Sequence, residues 1–95
     1  MFSTLQSVRE YGLYKNFTSS NLVKTGKGTV QGIIVNSHSS GTLQLSDALT
    51  STTPNMTGTI TLASGERWIP LFGATFTTGL YITVGGTGNF TIVYN

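Results

Sequence analysis

The chain has 95 residues, no cysteine, one histidine, five Lys plus Arg and three Asp plus Glu, with a formal net charge of +2. This excludes a disulfide framework and leaves a poor ligand set for a structural metal, yet at this size folding hides only about 60 to 65% of the unfolded surface. Charged residues are 8% of the chain, against about 25% in an average soluble domain, so like-charge repulsion between copies is weak and oligomerisation is the expected reinforcement.

Residues 1–12 place Leu5, Val8 and Tyr11 at helical spacing before Gly12, and read as an N-terminal arm or short helix. They lack the basic and continuous apolar regions of a secretory signal. No stretch approaches the roughly 20 apolar residues of a membrane span, so synthesis in a cytosol is expected, with no membrane partner.

From Leu13 onward aliphatic residues alternate with threonine, as in Gly58-Thr59-Ile60-Thr61-Leu62 and Gly79-Leu80-Tyr81-Ile82-Thr83-Val84. A period of two puts Ile60 with Leu62, and Leu80 with Ile82 and Val84, on one buried face, with β-branched threonine on the wet one. Strands are predicted near 13–18, 21–25, 29–36, 42–47, 57–62, 66–72, 80–84 and 89–94. Glycine-bearing turns are predicted at Gly26-Lys27-Gly28, Ser39-Ser40-Gly41, Ser64-Gly65, Thr78-Gly79 and Gly85-Gly86-Thr87-Gly88. The stretch from Ala48 to Asn55, with Thr50-Ser51-Thr52-Thr53-Pro54, is expected to be an exposed loop crossing between sheets. The reading is all-β: one eight-stranded antiparallel sandwich domain over 13–95.

Two segments depart from one-sided patterning. In Val30-Gln31-Gly32-Ile33-Ile34-Val35, strict alternation points Val30 and Ile34 one way and Ile33 and Val35 the other, and Trp68-Ile69-Pro70-Leu71-Phe72 is apolar on both faces. A strand apolar on both sides needs two covers, one of them the core and the other a folded-back loop or a neighbouring subunit. Ile33, Val35, Trp68, Ile69 and Phe72 are therefore candidate interface residues, joined by Tyr81, whose parity is opposite to that of Ile82. Tyr94 shares parity with Ile92 and Phe90 and is assigned to the core. Pro70 cannot donate to a ladder, which puts its strand at an edge or a bend.

Motifs that carry chemistry are absent or incomplete. Gly26-Lys27-Gly28-Thr29 lacks the spacing and the following helix of a phosphate loop, and Gly85-Gly86-Thr87-Gly88 lies between strands, as a hairpin turn does. His38 sits among serines, but Glu10, Asp47 and Glu66 are too scattered to supply an orienting acid or a glycosidase pair. Lys15, Lys24 and Lys27 are not interleaved with aromatics that would stack on bases, so no nucleic-acid partner is expected. Asn16-Phe17-Thr18, Asn55-Met56-Thr57 and Asn89-Phe90-Thr91 match the glycosylation acceptor by composition. The expectation is a structural or binding protein with no catalytic residue and no cofactor.

The run from Thr25 to Tyr94 resembles small virion proteins of tailed bacteriophages, the jelly-roll head-decoration or cement proteins, whose modules also occur in head fibres. The resemblance is carried by Gly26-Lys27-Gly28-Thr29-Val30-Gln31-Gly32-Ile33-Ile34-Val35-Asn36, Gly41-Thr42-Leu43-Gln44-Leu45-Ser46-Asp47, Gly58-Thr59-Ile60-Thr61-Leu62, Gly79-Leu80-Tyr81-Ile82-Thr83-Val84 and Asn89-Phe90-Thr91-Ile92-Val93-Tyr94. It implies an eight-stranded jelly roll, commonly a homotrimer, on the capsid exterior, where it bridges subunits of the major capsid protein. It carries no catalytic residue. The alternative is a receptor- or glycan-binding module of a phage head or tail fibre, with rings such as Tyr81 or Trp68 displayed beside Asn and Asp side chains.

Overall fold

The computed structural model describes residues 13–50 and 54–95; the expected N-terminal arm and part of the 48–55 loop lie outside them. The described residues form six strands and no helix: β1 (Leu13–Phe17), β2 (Asn21–Thr25), β3 (Gly28–Ser46), β4 (Ile60–Thr61), β5 (Trp68–Phe76) and β6 (Gly79–Tyr94). All pairings are antiparallel.

The fold is built on one long ribbon. β3 and β6 pair from Val30↔Tyr94 to Ser46↔Tyr81. At one end of the ribbon β5 joins β3 and β1 joins β6; at the other β4 joins β3 and β2 joins β6. A two-stranded ribbon with one apolar face cannot bury that face unless it bends over itself. The bend comes where the register shifts between Ser39 and Thr42: Ser40 and Gly41 stand against Gly86 alone, with positive φ at Ser40 (52°) and Gly86 (73°). At Gly86 a side chain would collide with the Ser40 carbonyl, so only glycine fits this inner corner.

Bending brings the inner faces of the two halves onto a single core. Val30, Ile33, Val35, Phe90 and Ile92 come from one half, Leu43, Leu45, Leu80 and Ile82 from the other, and all nine are essentially inaccessible to solvent. Phe17 packs its ring 5.4 Å from that of Phe90, tying the edge strand β1 to this core. Tyr94, half-buried, packs on its margin. The arrangement is sandwich-like, with each half four strands wide.

Several sequence expectations are corrected here. The predicted strands 29–36 and 42–47 are one strand, β3, and 80–84 and 89–94 are one strand, β6. Neither Ser39-Ser40-Gly41 nor Gly85-Gly86-Thr87-Gly88 reverses the chain, because the small residues bend a ribbon whose ladder continues across them. The segment 57–62 contributes only the two residues of β4. The connection after β3 does not cross between halves: Met56 and Thr57 donate N–H to the Leu45 carbonyl, and Asp47 to that of Pro54, so the chain returns beside the strand it left. The crossings are instead made by 18–20, between β1 and β2, by 26–27, between β2 and β3, by 62–67, between β4 and β5, and by 77–78, between β5 and β6.

The two-sided apolar pattern in β3 also has a local resolution. The register shifts between Val30 and Gly32, so Gln31 has no partner on β6. This bulge returns Val30 to the face of Ile33 and Val35, and only Ile34 is left outward, 40% exposed. A direct check follows by truncating the two adjacent isoleucines. Ile33→Ala is expected to lower unfolding free energy in urea by about 2–5 kcal/mol, and Ile34→Ala by less than about 1 kcal/mol; equal losses would mean that Gln31 is not bulged out.

Candidate functional site

The six residues singled out by pattern separate into two groups. Ile33, Val35 and Ile69 are core side chains of the single subunit, and their assignment to an interface is corrected: the Gln31 bulge turns Val30, Ile33 and Val35 the same way, and Ile69 pairs with Ile33 on that face. Trp68 and Phe72 are exposed, and Tyr81 is half-buried on the opposite half, where Leu22 and Ser46 are its cross-strand neighbours.

Trp68 belongs to a continuous outward surface. Register places Trp68, Ile34, Thr91 and Asn16 in one row across β5, β3, β6 and β1, and Pro70, Gly32, Val93 and Tyr14 in the next. Tyr14 is 73% exposed and Trp68 45%. The Trp68 ring lies over Gly32, where an added Cβ would run into the ring and stand 2.7 Å from the Ile69 carbonyl oxygen. Glycine at 32 thus lets an aromatic plate lie flat on the sheet.

Beside this plate is a polar strip without a formal charge. The Asn16 amide donates to Asn89 Oδ1 (2.8 Å), the Phe90 carbonyl (2.9 Å) and Thr91 Oγ1 (3.2 Å), while Asn36 donates to the same Asn89 oxygen (3.0 Å) and Thr91 hydroxyl (3.1 Å). Three amides and a hydroxyl are thereby held in fixed orientation on neighbouring strands. Held amides and hydroxyls beside aromatic rings can bond a partner's polar groups without the desolvation penalty of buried ions.

Phe72 stands apart from the plate. Between the pairs Val30↔Ala74 and Gly32↔Pro70, β5 spends Leu71, Phe72 and Gly73 against Gln31. Phe72 and Gly73 both take positive φ, 58° and 72°, and the Phe72 side chain is 88% exposed. Left-handed backbone at a non-glycine residue costs about 1–2 kcal/mol, and an unburied phenylalanine forgoes about 1.5–3 kcal/mol of burial. Both penalties fall on one side chain at the sheet edge.

A separate cleft of 560 Å³ lies between the bend of β3 and the 62–67 crossing, and it gathers His38, Glu66 and Arg67 with Ser37, Ser40 and Ser64. Its histidine is engaged on both ring nitrogens. Nε2 lies 2.9 Å from the Ala63 carbonyl and Nδ1 accepts from the Gly41 N–H at 3.3 Å, a pair satisfied by the tautomer protonated at Nε2. Neither nitrogen faces a serine hydroxyl, as base catalysis needs. Glu66 accepts from the Ala63 N–H at 3.4 Å. This histidine pins the crossing to the ribbon bend. Among the described residues no group of three His, Asp or Glu side chains is placed to hold a metal ion.

Asp47 has a role that pattern reading missed. At the end of β3 its carboxylate accepts from the Thr77 N–H (2.9 Å), the Thr78 N–H (2.7 Å), the Gly79 N–H (3.3 Å) and the Thr77 hydroxyl (3.1 Å). The same turn receives the Gly26 N–H at the Thr78 carbonyl. Backbone donation, from Thr77 first and then Thr78, holds the Asp47 pKa below its ordinary value. The available signal was an aspartate directly after a strand in a chain whose Thr-Thr-Gly turn needs an acceptor.

Comparison with protein families, with curated proteins and with solved structures found no match to this chain.

Two measurements check this geometry. Because the Asp47 pKa is depressed in the folded state, its contribution is fully present above the ordinary carboxylate range and is lost as pH falls through the folded value. Asp47→Asn should accordingly melt below the wild type at pH 7, and the gap should close progressively as pH is lowered below 4, the unfolded-state carboxylate value being about 3.9; a pH-independent gap would contradict the carboxylate's role. Gly32→Ala should displace the Trp68 ring, shift its fluorescence emission and destabilise the fold by about 1–3 kcal/mol.

Proposed function

We propose that this chain is a structural protein of a bacteriophage virion, a jelly-roll module that decorates the outer surface of the capsid and stabilises it by bridging subunits of the major capsid protein. Split at the ribbon bend, β3 and β6 each count as two strands, and the six strands become eight. Their order is then β1, second half of β6, first half of β3, β5 in one sheet, and β2, first half of β6, second half of β3, β4 in the other. A long antiparallel ribbon folded over so that its ends form two facing sheets is how a jelly roll is made, an architecture shared by viral capsid and lectin domains. Copies are proposed to associate, with the trimer the expected number from the resemblance.

The observation that carries the reading is the uncharged outward sheet face: Trp68, Ile34 and Tyr14 in register beside Asn16, Asn36, Asn89 and Thr91. On a particle, each copy would bury this face against coat subunits, and symmetry would multiply a modest contact into a durable one. Nothing in that mechanism calls for a catalytic group or a cofactor.

One specific feature favours a second reading, glycan binding by a fibre module. Rings flanked by oriented amides are also what a sugar needs, an apolar face for its C–H groups and donors for its hydroxyls. The two readings separate on mixing with undecorated heads. Stoichiometric binding that raises the heat resistance of the heads is expected, and Trp68→Ala should weaken that binding at least about tenfold, as loss of an aromatic anchor does, while circular dichroism shows an unchanged fold. Binding to cell-surface sugars with no affinity for heads would replace the first reading by the second.

A further inference from the structure

We propose that copies of this chain join by seating Phe72 of one copy in the groove over Phe76 of another. The inference deepens the self-association part of the preceding reading and does not depend on which particle, if any, the assembly coats.

The projecting group is unusual on two independent counts, its 88% exposure and its positive φ of 58° on a bulge of the edge strand β5. Strained backbone survives where the surroundings over-determine it and the conformation has a use. Here the strained turn aims a ring away from the sheet, where among the described residues it stays 88% exposed.

The receiving groove is on the same edge. It has a volume of 420 Å³ and is walled by Thr29, Thr75, Phe76 and the stems of Lys24 and Lys27. Its floor is open because residue 28 is glycine: a Cβ there would stand 2.8 Å from the Phe76 Cζ and 3.1 Å from the Lys24 Nζ. The groove is open to solvent along one side, so a phenyl ring would lie in it rather than be enclosed. Phe76 itself is core, 1% exposed, so the guest reaches only the tip of that ring, through the gap that Gly28 leaves. Beside Gly28 it meets the Lys24 ammonium, and a cation is attracted to the negative face of an aromatic ring. An aromatic guest thus finds the lysine stems and a cation in one groove.

A second copy is the occupant the molecule itself supplies. Projection and groove are carried by one chain, the requirement for a reciprocal pair or a closed ring. With only 8% charged residues, little repulsion opposes the approach. Contact along β5 would also shield the free edge of this half of the sheet, which otherwise offers unpaired backbone groups to any passing strand.

Sedimentation velocity on the full chain tests the proposal with three variants: Phe72→Ser, which removes the projection; Thr75→Glu, which sets a carboxylate between Lys24 and Lys27 and faces the ring with an anion; and Lys27→Glu, a second groove variant at an exposed turn. Thermal melts by circular dichroism establish that each is folded. The wild type is expected to be oligomeric, and each variant alone to dissociate at least about tenfold more readily, the loss expected for an aromatic anchor. An equimolar mixture of Phe72→Ser and Thr75→Glu should form a one-to-one heterodimer, since one copy retains the groove and the other the ring. A monomeric wild type, an undiminished Phe72→Ser oligomer, or a mixture that stays monomeric would each overturn the proposal. Loss of head or glycan binding in Phe72→Ser with self-association intact would overturn it as well and assign the ring to that partner. Self-association without head binding would sink only the preceding reading, whereas head binding by a lone subunit would sink only this one.

Discussion

The structure depends on the bend in a single antiparallel ribbon. β3 and β6 carry most of the core residues, and they carry them on one face. No helix is present among the described residues to cover that face, and no disulfide substitutes for a core. The ribbon must therefore supply both the surface to be buried and its cover. Ser40 and Gly41 against Gly86 provide the extra residue and the left-handed backbone that fold one half onto the other. The outer strands then have fixed places: each half of the ribbon offers two free edges, and β1, β2, β4 and β5 fill them.

The ends of the sandwich are closed by hydrogen bonds as well as by apolar packing such as that of Leu62 against the bend. Asp47 gathers the N–H groups of the β5–β6 turn, and Gly26 ties the β2–β3 turn to the same place through Thr78. At the bend, His38 holds the 62–67 crossing against the ribbon through the Ala63 carbonyl. In a chain with so few ionisable groups, two of them are used as acceptor or donor for backbone atoms. This accounts for a histidine and an aspartate without assigning either to chemistry on a substrate.

What remains outward is a face of rings and uncharged polar groups. In register with Trp68 and Tyr14 stand Ile34, Pro70, Gly32 and Val93, and the polar groups of the same two rows are Asn16 and Thr91, none of them charged. Such a surface binds through area and oriented neutral dipoles, and neither term is screened by salt as ion pairs are. Phe72 is a different feature, a single ring lifted from the edge by a strained bulge. The first offers a broad face, the second a single projecting ring.

Composition and alternation determined the class of fold. Threonine opposite aliphatics at a period of two admits only half-buried strands, and Leu43 with Leu45, and Leu80 with Ile82, fall in the core as that period requires. The exposure of Trp68 and Phe72 was also within reach, because two large rings on an edge strand beside Pro70 exceed what one face can bury. Continuity of β3 and β6 was not, since glycine marks a bend and a reversal alike and only the partner strand distinguishes them. The sidedness of Val30 and Ile34 was equally out of reach: a bulge at Gln31 shifts parity by one, and its place is set by the register with β6. Alternation is a local property of a strand, whereas bulges, bends and the nest around Asp47 arise between strands distant in the chain, so these were decided only when the ribbon folded.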